Sequence, residues 1–115
     1  MTEFDPIIHA PIRLRLCSLL AVVDQAEFVT LRGRLDIADS VLSKHITTLT
    51  EAGYVTSKKG TLDGRRTTWI TLTRAGRRAL RGHLHALQAL IDASGTPVDP
   101  TSGTEGRRVG ELAAP

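Results

Sequence analysis

The chain has 115 residues, of which 41% are apolar and 3% aromatic, and its formal net charge is +3. One hydrophobic core usually serves about 100–200 residues, so we expect one domain and no separate sensor domain. A core with few rings favours helices packed on helices. The apolar runs are far shorter than the roughly 20 residues of a membrane span, the chain opens without a secretory signal pattern, and Cys17 has no second cysteine to pair with. These features predict a cytoplasmic protein.

The positive charge is concentrated in the first part of the chain. Residues 92–115 carry four acidic and two basic side chains, a net of −2, whereas residues 1–91 carry +5. Gly, Pro, Ser and Thr are frequent in the same tail, and its apolar surface is too small to offset the entropy of ordering it. The sequence therefore predicts an extended lead-in over 1–10, a folded domain over 11–93 and a disordered tail over 94–115.

The first helix is predicted over residues 11–23. Pro11 suits a first helical turn, and apolar residues follow at helical spacing: Ile12, Leu16, Leu19, Leu20 and Val23. Cys17 lies beside this line, which indicates a small core side chain; a redox role would require an intersubunit disulfide or a thiolate stabilised by nearby cations. Next, Phe28 and Val29 predict a brief extended piece, and Thr30 is a candidate cap for a short helix.

A second periodic segment covers residues 39–52. Leu42, Ile46 and Leu49 fall at i, i+4 and i+7 and form a buried stripe, and Gly53 suits the position after the helix. Small and polar side chains occupy the outer side: Ser40, Val41, Ser43, Lys44, Thr47 and Thr48. A short helix, a tight turn and a second helix with such a face are typical of a helix-turn-helix.

A β-hairpin and a long helix complete the domain. Residues 54–57 and 67–72 have strand propensity, and the loop between them contains an Asp-Gly pair and four cations, Lys58, Lys59, Arg65 and Arg66. Thr73 is a candidate cap for a final helix over 74–93, on which four apolar residues line one face: Leu80, Leu84, Leu87 and Ile91. Twenty helical residues span about 30 Å, more than so small a domain needs. We therefore predict that the second half of this helix packs against a second subunit in a dimer. The alternative is a monomer in which the end of the helix is loosely packed.

In order and spacing, these elements resemble the small single-domain winged helix-turn-helix transcriptional regulators similar to the MarR and ArsR families. The resemblance covers about residues 5–91 and rests on HAPIRL (9–14), LSKHI (42–46), LTEAGYV (49–55), GRRTT (64–68) and LTRAGR (72–77). It implies an α+β, mainly helical fold, a winged helix-turn-helix with a two-stranded wing and a long C-terminal dimerisation helix.

The resemblance also implies sequence-specific binding of double-stranded DNA by a homodimer, most simply a repressor that occludes a promoter. The helix over 39–52 would enter the major groove, and the wing over 57–67 would contact phosphates or the minor groove. Val41 suits a thymine methyl, Ser40 and Ser43 suit base edges or phosphate, and Lys44 suits guanine or phosphate. The wing cations Lys58, Lys59, Arg65 and Arg66 suit phosphates, and their alternative role is solubilising charge on a hairpin edge.

Other functions have weaker support in the sequence. A winged helix can dock a protein, with the basic wing incidental, or respond to a small molecule bound at the dimer interface, although no effector is indicated. ArsR-like regulators often bind metals through Cys and His, but here His83 and His85 point to different sides of a helix, His9 is isolated, and no cysteine pair exists. We expect no metal, cofactor or enzymatic activity, because phosphate-loop, serine-elbow and zinc-protease motifs are missing. We expect Trp69 either to cover the hairpin or to contact a second subunit or a ligand pocket.

Overall fold

The structure, a computed structural model, describes residues 4–94, so the predicted tail lies outside the described residues except for Ser94. Within residues 4–94, five helices and three strands follow one another: α1 (Pro6–His9), α2 (Pro11–Ala21), β1 (Ala26–Glu27), α3 (Phe28–Leu35), α4 (Asp39–Glu51), β2 (Val55–Leu62), β3 (Arg65–Leu72) and α5 (Arg74–Ala93). The architecture is a winged helix, as predicted. Within residues 4–94, no helix is both long and apolar enough to cross a membrane.

The sequence predicted an extended lead-in over residues 1–10, but Pro6–His9 form a helical turn. Asp5 caps a single helical turn, because its Oδ1 accepts from the backbone N–H groups of Ile7 at 2.8 Å and Ile8 at 3.3 Å. Pro6 occupies the first helical position, where its missing N–H costs nothing. The turn inserts Ile8 fully into the core, and Ala10 then adopts a non-helical conformation before Pro11.

The first half of the helix-turn-helix differs from prediction at its boundaries. Helix α2 ends at Ala21 rather than at 23. The extended piece is Ala26–Glu27, and α3 begins at Phe28, ahead of the predicted cap Thr30. The strand lies there because Ala26 and Glu27 pair with Ile70 and Trp69 of β3, a long-range pairing that overrides local capping preference.

The sheet has three antiparallel strands in the order β1-β3-β2, one more than the predicted two-stranded wing. Pairing in the hairpin continues from Val55↔Leu72 to Leu62↔Arg65. Only Asp63 and Gly64 remain in the turn, at φ values of 53° and 79°. Two successive left-handed residues match the twist of a tight hairpin, and Asp-Gly is a favoured pair for it. The wing is therefore a longer, stiffer ribbon than the predicted loop over 58–66.

The core lies between α2, α3, α4, α5 and the sheet. The predicted stripe of Leu42, Ile46 and Leu49 is buried, as are Leu16, Leu20, Leu31, Leu35, Val55, Ile70, Leu72 and Leu80. The predicted cap is also confirmed, because Thr73 Oγ1 accepts from Gly76 N at 3.0 Å and donates to Gly53 O at 2.7 Å. This hydroxyl therefore ties the start of α5 to the turn before β2.

Candidate nucleic-acid interface

The outer face of α4 carries the residues predicted to read DNA. Ser40, Val41, Ser43, Lys44 and Thr47 are exposed and line one shallow depression together with His45. Thr48 is half-buried, and its hydroxyl donates to Lys44 O at 3.1 Å. Thr48 is thus less available than the other five, because its donor is used within the helix.

The amino end of α4 is open. Ala38 occupies the cap position and supplies no side-chain hydrogen bond. Uncapped N–H groups at a helix start suit a phosphate. The neighbouring Asp39 would oppose such an anion, but its carboxylate is paired with Arg32 Nη1 at 2.7 Å. This exposed pair links α3 to α4 and offsets the acidic charge beside the depression.

The wing separates its four cations onto two faces of the hairpin. In the observed register, Lys59 pairs with Thr68 and Arg66 with Thr61, so Lys59 and Arg66 share the face of Ile70. Lys58 and Arg65 lie on the opposite face. Arg65 Nη2 is 3.2 Å from Glu27 Oε2.

Glu27 makes Arg65 different from the other wing cations. Its side chain is only 12% exposed, and the same oxygen accepts from Thr67 Oγ1 at 2.7 Å. Within residues 4–94, Lys58, Lys59 and Arg66 form no such ion pair. Three wing cations are therefore free to meet phosphates, and Arg65 is partly neutralised by Glu27 of β1, the extended piece that the sequence predicted two residues later.

Sequence reasoning missed the contact between Arg13 and His45. Arg13 Nη1 lies 3.2 Å from His45 Nδ1, and Arg13 Nε donates to Ile7 O at 2.6 Å. Burial, followed by the charges of Arg13 and Lys44, lowers the pKa of His45. The imidazole is therefore held neutral at the edge of the depression. The contact joins residues 32 positions apart, so no local pattern indicates it.

His9 is not isolated, contrary to the prediction, because the fold brings it to His83 of α5. Asp5 N donates to His83 Nδ1 at 3.1 Å, which leaves His83 Nε2 to donate to His9 Nδ1 at 3.3 Å. Tyr54 OH donates to Asp5 Oδ2 at 2.5 Å. The rings of Phe4 and both histidines make edge contacts, with centroids 5.2–5.7 Å apart. This set of five residues is called the N-terminal cluster below.

The N-terminal cluster joins buried and exposed side chains, since Phe4 and His9 are exposed. His83 is fully buried, and burial and His9 lower its pKa. The hydrogen bond to Asp5 raises the pKa of Tyr54 to about 12. In the described part of the chain, no group of three or more His, Cys, Asp or Glu side chains is arranged to hold a metal ion.

The residues predicted for the dimer interface divide into two groups. Leu80 is only 5% exposed and belongs to the core of its own chain, because the first half of α5 packs on the domain. Leu84 and Ile91 are 46% and 44% exposed. The half-buried Leu87 lines an apolar cleft with Phe4, Pro6, His9 and Leu90.

The structure also shows the surroundings of Cys17 and Trp69, the two other residues that the sequence singled out. Cys17 is fully buried, and burial raises the pKa of its thiol to about 11, so it is a core side chain without thiolate character at neutral pH. Trp69 is half-buried and lies against Gly60, whose added Cβ would be 3.0 Å from Trp69 Cδ1. It covers the hairpin on the face away from Ile70.

Comparison with known proteins agrees with this geometry. Residues 12–91 match the family described as "Winged helix DNA-binding domain". The uncharacterized protein MJ0432 of Methanocaldococcus jannaschii is 31% identical over 84 residues, which cover 73% of this chain and 91% of that protein.

Solved structures are similar as well. A transcriptional regulator homologue from Pyrococcus horikoshii OT3 superposes with a TM-score of 0.73 at 29% identity, covering 78% of this chain and 89% of the other. A MarR family transcriptional regulator from Silicibacter pomeroyi shares the fold, with a TM-score of 0.61 at 23% identity, 83% of this chain and 62% of that one. The chain therefore belongs to the winged-helix DNA-binding domain family and has the fold of a MarR-type transcriptional regulator.

Proposed function

We propose that this protein is a homodimeric repressor that binds specific sites in double-stranded DNA and blocks access to a promoter. One observation carries the proposal: the exposed polar face of α4 continues through Gly53 into a hairpin rich in cations. The recognition helix enters the major groove, and the wing contacts the adjacent backbone or minor groove.

Base readout by α4 relies on short side chains. Ser40, Val41 and Ser43 have short side chains on the outer face, so the backbone of α4 can approach the base edges closely. The outer face has one long cation, Lys44, and no arginine or glutamine. Shape complementarity and methyl contacts then contribute a large share of specificity, because long bidentate side chains are few.

Phosphate contacts supply most of the affinity in this proposal. Each protomer offers Lys44, Lys58, Lys59 and Arg66 without an ion pair inside residues 4–94. If a dimer used all of them on about eight phosphates, log affinity would fall with log salt at a slope of about −7. Arg65 adds little to this salt dependence, because it already forms an ion pair with Glu27.

The second copy of the chain covers the apolar surface at the end of α5. Phe4, 43% exposed, and Leu90, 57% exposed, line the cleft together with Leu87, and Leu84 and Ile91 of the same helix are exposed as well. Burying such side chains contributes about 25 cal/mol per Å² of apolar surface removed from water. Antiparallel or crossed packing of two α5 helices removes this surface and sets the two recognition helices apart.

The test compares two double variants that lose the same charge. Lys44→Ala with Arg66→Ala removes cations from the proposed DNA surface, and Arg15→Ala with Arg81→Ala removes two exposed cations elsewhere. Binding is measured by fluorescence anisotropy at several salt concentrations, on a duplex selected from random DNA. The first variant should lose affinity and reduce the salt slope by up to about 4, since each phosphate contact contributes about 0.9, and the second should leave the slope nearly unchanged.

Two outcomes contradict the proposal. If the variant with Lys44→Ala and Arg66→Ala melts like the wild type and binds DNA with unchanged affinity at moderate salt, then α4 and the wing do not contact DNA. Absence of any salt-dependent shift of the wild type with random duplex DNA identifies instead a winged helix that docks proteins, for which the basic wing is incidental.

A further inference from the structure

His45 lies on the recognition helix but has no established role. It lines the same depression as Ser40, Val41, Ser43, Lys44 and Thr47, and it is half-buried where they are exposed. Its neighbours Leu42, Ile46 and Leu49 turn into the core, so the imidazole stands at the border between the buried stripe and the outer face. A side chain at this border is held more firmly than the exposed serines and lysine around it.

Arg13 determines which nitrogen of His45 carries the proton. A guanidinium has only donors and stays protonated in proteins, so Nδ1 of His45, 3.2 Å from Arg13 Nη1, must be the acceptor. The neutral ring then carries its hydrogen on Nε2. Within residues 4–94, the remaining nitrogen has no hydrogen-bond partner. His45 is thus a donor of fixed tautomer whose free N–H diverges from Arg13.

Arg13 is itself held in place. Its Nε donates to Ile7 O at 2.6 Å, in the turn that Asp5 caps. The imidazole is therefore oriented before DNA arrives, and little side-chain entropy is lost when it forms a further hydrogen bond. The charges of Arg13 and Lys44 and the burial of the ring all disfavour a second proton, so the donor remains a neutral one.

We propose that His45 is a specificity-determining residue of α4, which donates from Nε2 to a purine base edge in the major groove, with Arg13 as its positioning residue. The inference rests on the proposed DNA-binding function and extends it to a residue outside the predicted reading set. Both purines present N7 as an acceptor, with O6 beside it in guanine and an amino donor beside it in adenine; thymine presents O4 next to its C5-methyl group, and cytosine presents only an amino donor. A donor without acceptor capacity prefers guanine, tolerates adenine, reaches thymine O4 only where the methyl group leaves room, and rejects cytosine.

The experiment begins with sites selected from random duplex DNA by the wild-type protein. The same selection is then run with His45→Ala, His45→Gln and Arg66→Ala. His45→Ala should lose the preference at one position in each half-site and bind the selected duplex about 5- to 150-fold more weakly, as expected when a dimer loses two base hydrogen bonds, one from each protomer. His45→Gln retains an amide donor and should keep the purine preference. Arg66→Ala should weaken all sequences alike, because a phosphate contact carries no base information.

A modified duplex identifies the base atom. Replacing the preferred purine by its 7-deaza analogue removes the N7 acceptor while base pairing is kept. The substitution should weaken the wild type and leave the affinity of His45→Ala unchanged, because the two changes remove the same bond. Equal weakening of both proteins overturns the proposed contact.

Arg13→Met tests the positioning role separately from folding. Without the guanidinium, the pKa of His45 should rise and its Nδ1 should be able to carry the proton, both of which NMR of the imidazole nitrogens reports, and the purine preference should weaken. An unchanged pKa and tautomer contradict the role of Arg13. If His45→Ala selects the same sites with undiminished preference at every position, the inference fails while DNA binding stands; if the wild type selects no site, the proposed function fails with it.

Discussion

Replacing Gly76 by alanine tests how the last helix is joined to the wing. Gly76 is in the first turn of α5 and is buried. An added Cβ would lie 2.6 Å from Leu72 Cδ1 and 3.0 Å from the carbonyl carbon of Tyr54, and nearer still to the Tyr54 oxygen. That oxygen already accepts from Thr73 N at 2.9 Å. The backbone cannot move aside without weakening the bond that links the helix start to the wing.

The expected cost combines two unfavourable effects with one favourable effect. Overpacking against a rigid neighbour costs typically about 1–3 kcal/mol, and weakening the Thr73 bond adds about 1 kcal/mol. Alanine gains back about 1 kcal/mol of helix propensity over glycine. Gly76→Ala should therefore destabilise the fold by about 1–3 kcal/mol, which lowers the melting temperature by roughly 5–20 °C in a domain of this size.

Gly82→Ala is the matched control, because it makes the same substitution in the same helix. The space around its Cβ is open, with no heavy atom within 4 Å apart from its chain neighbours and the backbone of its own helix, so only the propensity gain of up to about 1 kcal/mol remains. Thermal unfolding followed by circular dichroism, at one protein concentration for all variants, compares them with the wild type. If Gly76→Ala melts at or above the wild-type temperature, the close approach of α5 to Tyr54 is wrong.

Two further predictions concern α5. Because the pKa of buried His83 is lowered on folding, the unfolded chain binds the proton more readily. Stability should be complete above the ordinary histidine value near 6.5 and fall as the pH drops through that range, by at most about 1.4 kcal/mol per pH unit for one proton. In urea titrations at pH 5–8, the stability of His83→Gln should depend less on pH than that of the wild type, and the stability of the exposed His85→Gln should depend on pH as the wild type does. An equal pH dependence of His83→Gln and the wild type refutes this prediction. In sedimentation, Leu84→Glu and Leu87→Glu should shift the protein toward monomer, and a wild type that is already monomeric at micromolar concentration contradicts the interface.

The parts of the fold that follow from short-range patterns were predictable. The stripe of Leu42, Ile46 and Leu49, the cap at Thr73 and the hairpin each depend on residues within a few positions of one another, and each is observed. The outer face of α4 follows from the same periodicity. A face opposite a buried stripe is necessarily the exposed one.

Features that depend on distant contacts were not predictable. Strand β1 has two residues and exists because β3 pairs with it, so no alternation in the sequence reveals it. The N-terminal cluster joins Asp5 to Tyr54 and to His83, residues 49 and 78 positions away. The helical turn at Pro6–His9 was open to prediction, because an Asp-Pro pair before apolar residues is a helix-start pattern.

Arg77 gives the last helix a second attachment that bears on how a dimer moves. From the second turn of α5 its guanidinium donates to Ala21 O at 2.8 Å and Val23 O at 3.1 Å, satisfying carbonyls at the end of α2. With Thr73 bound to Gly53, the first half of α5 is fastened both to the helical layer and to the wing. In the proposed dimer, each protomer should therefore turn as one rigid unit, so the distance between the two half-sites on DNA should follow from the crossing angle of the two α5 helices, with little contribution from bending of the wing.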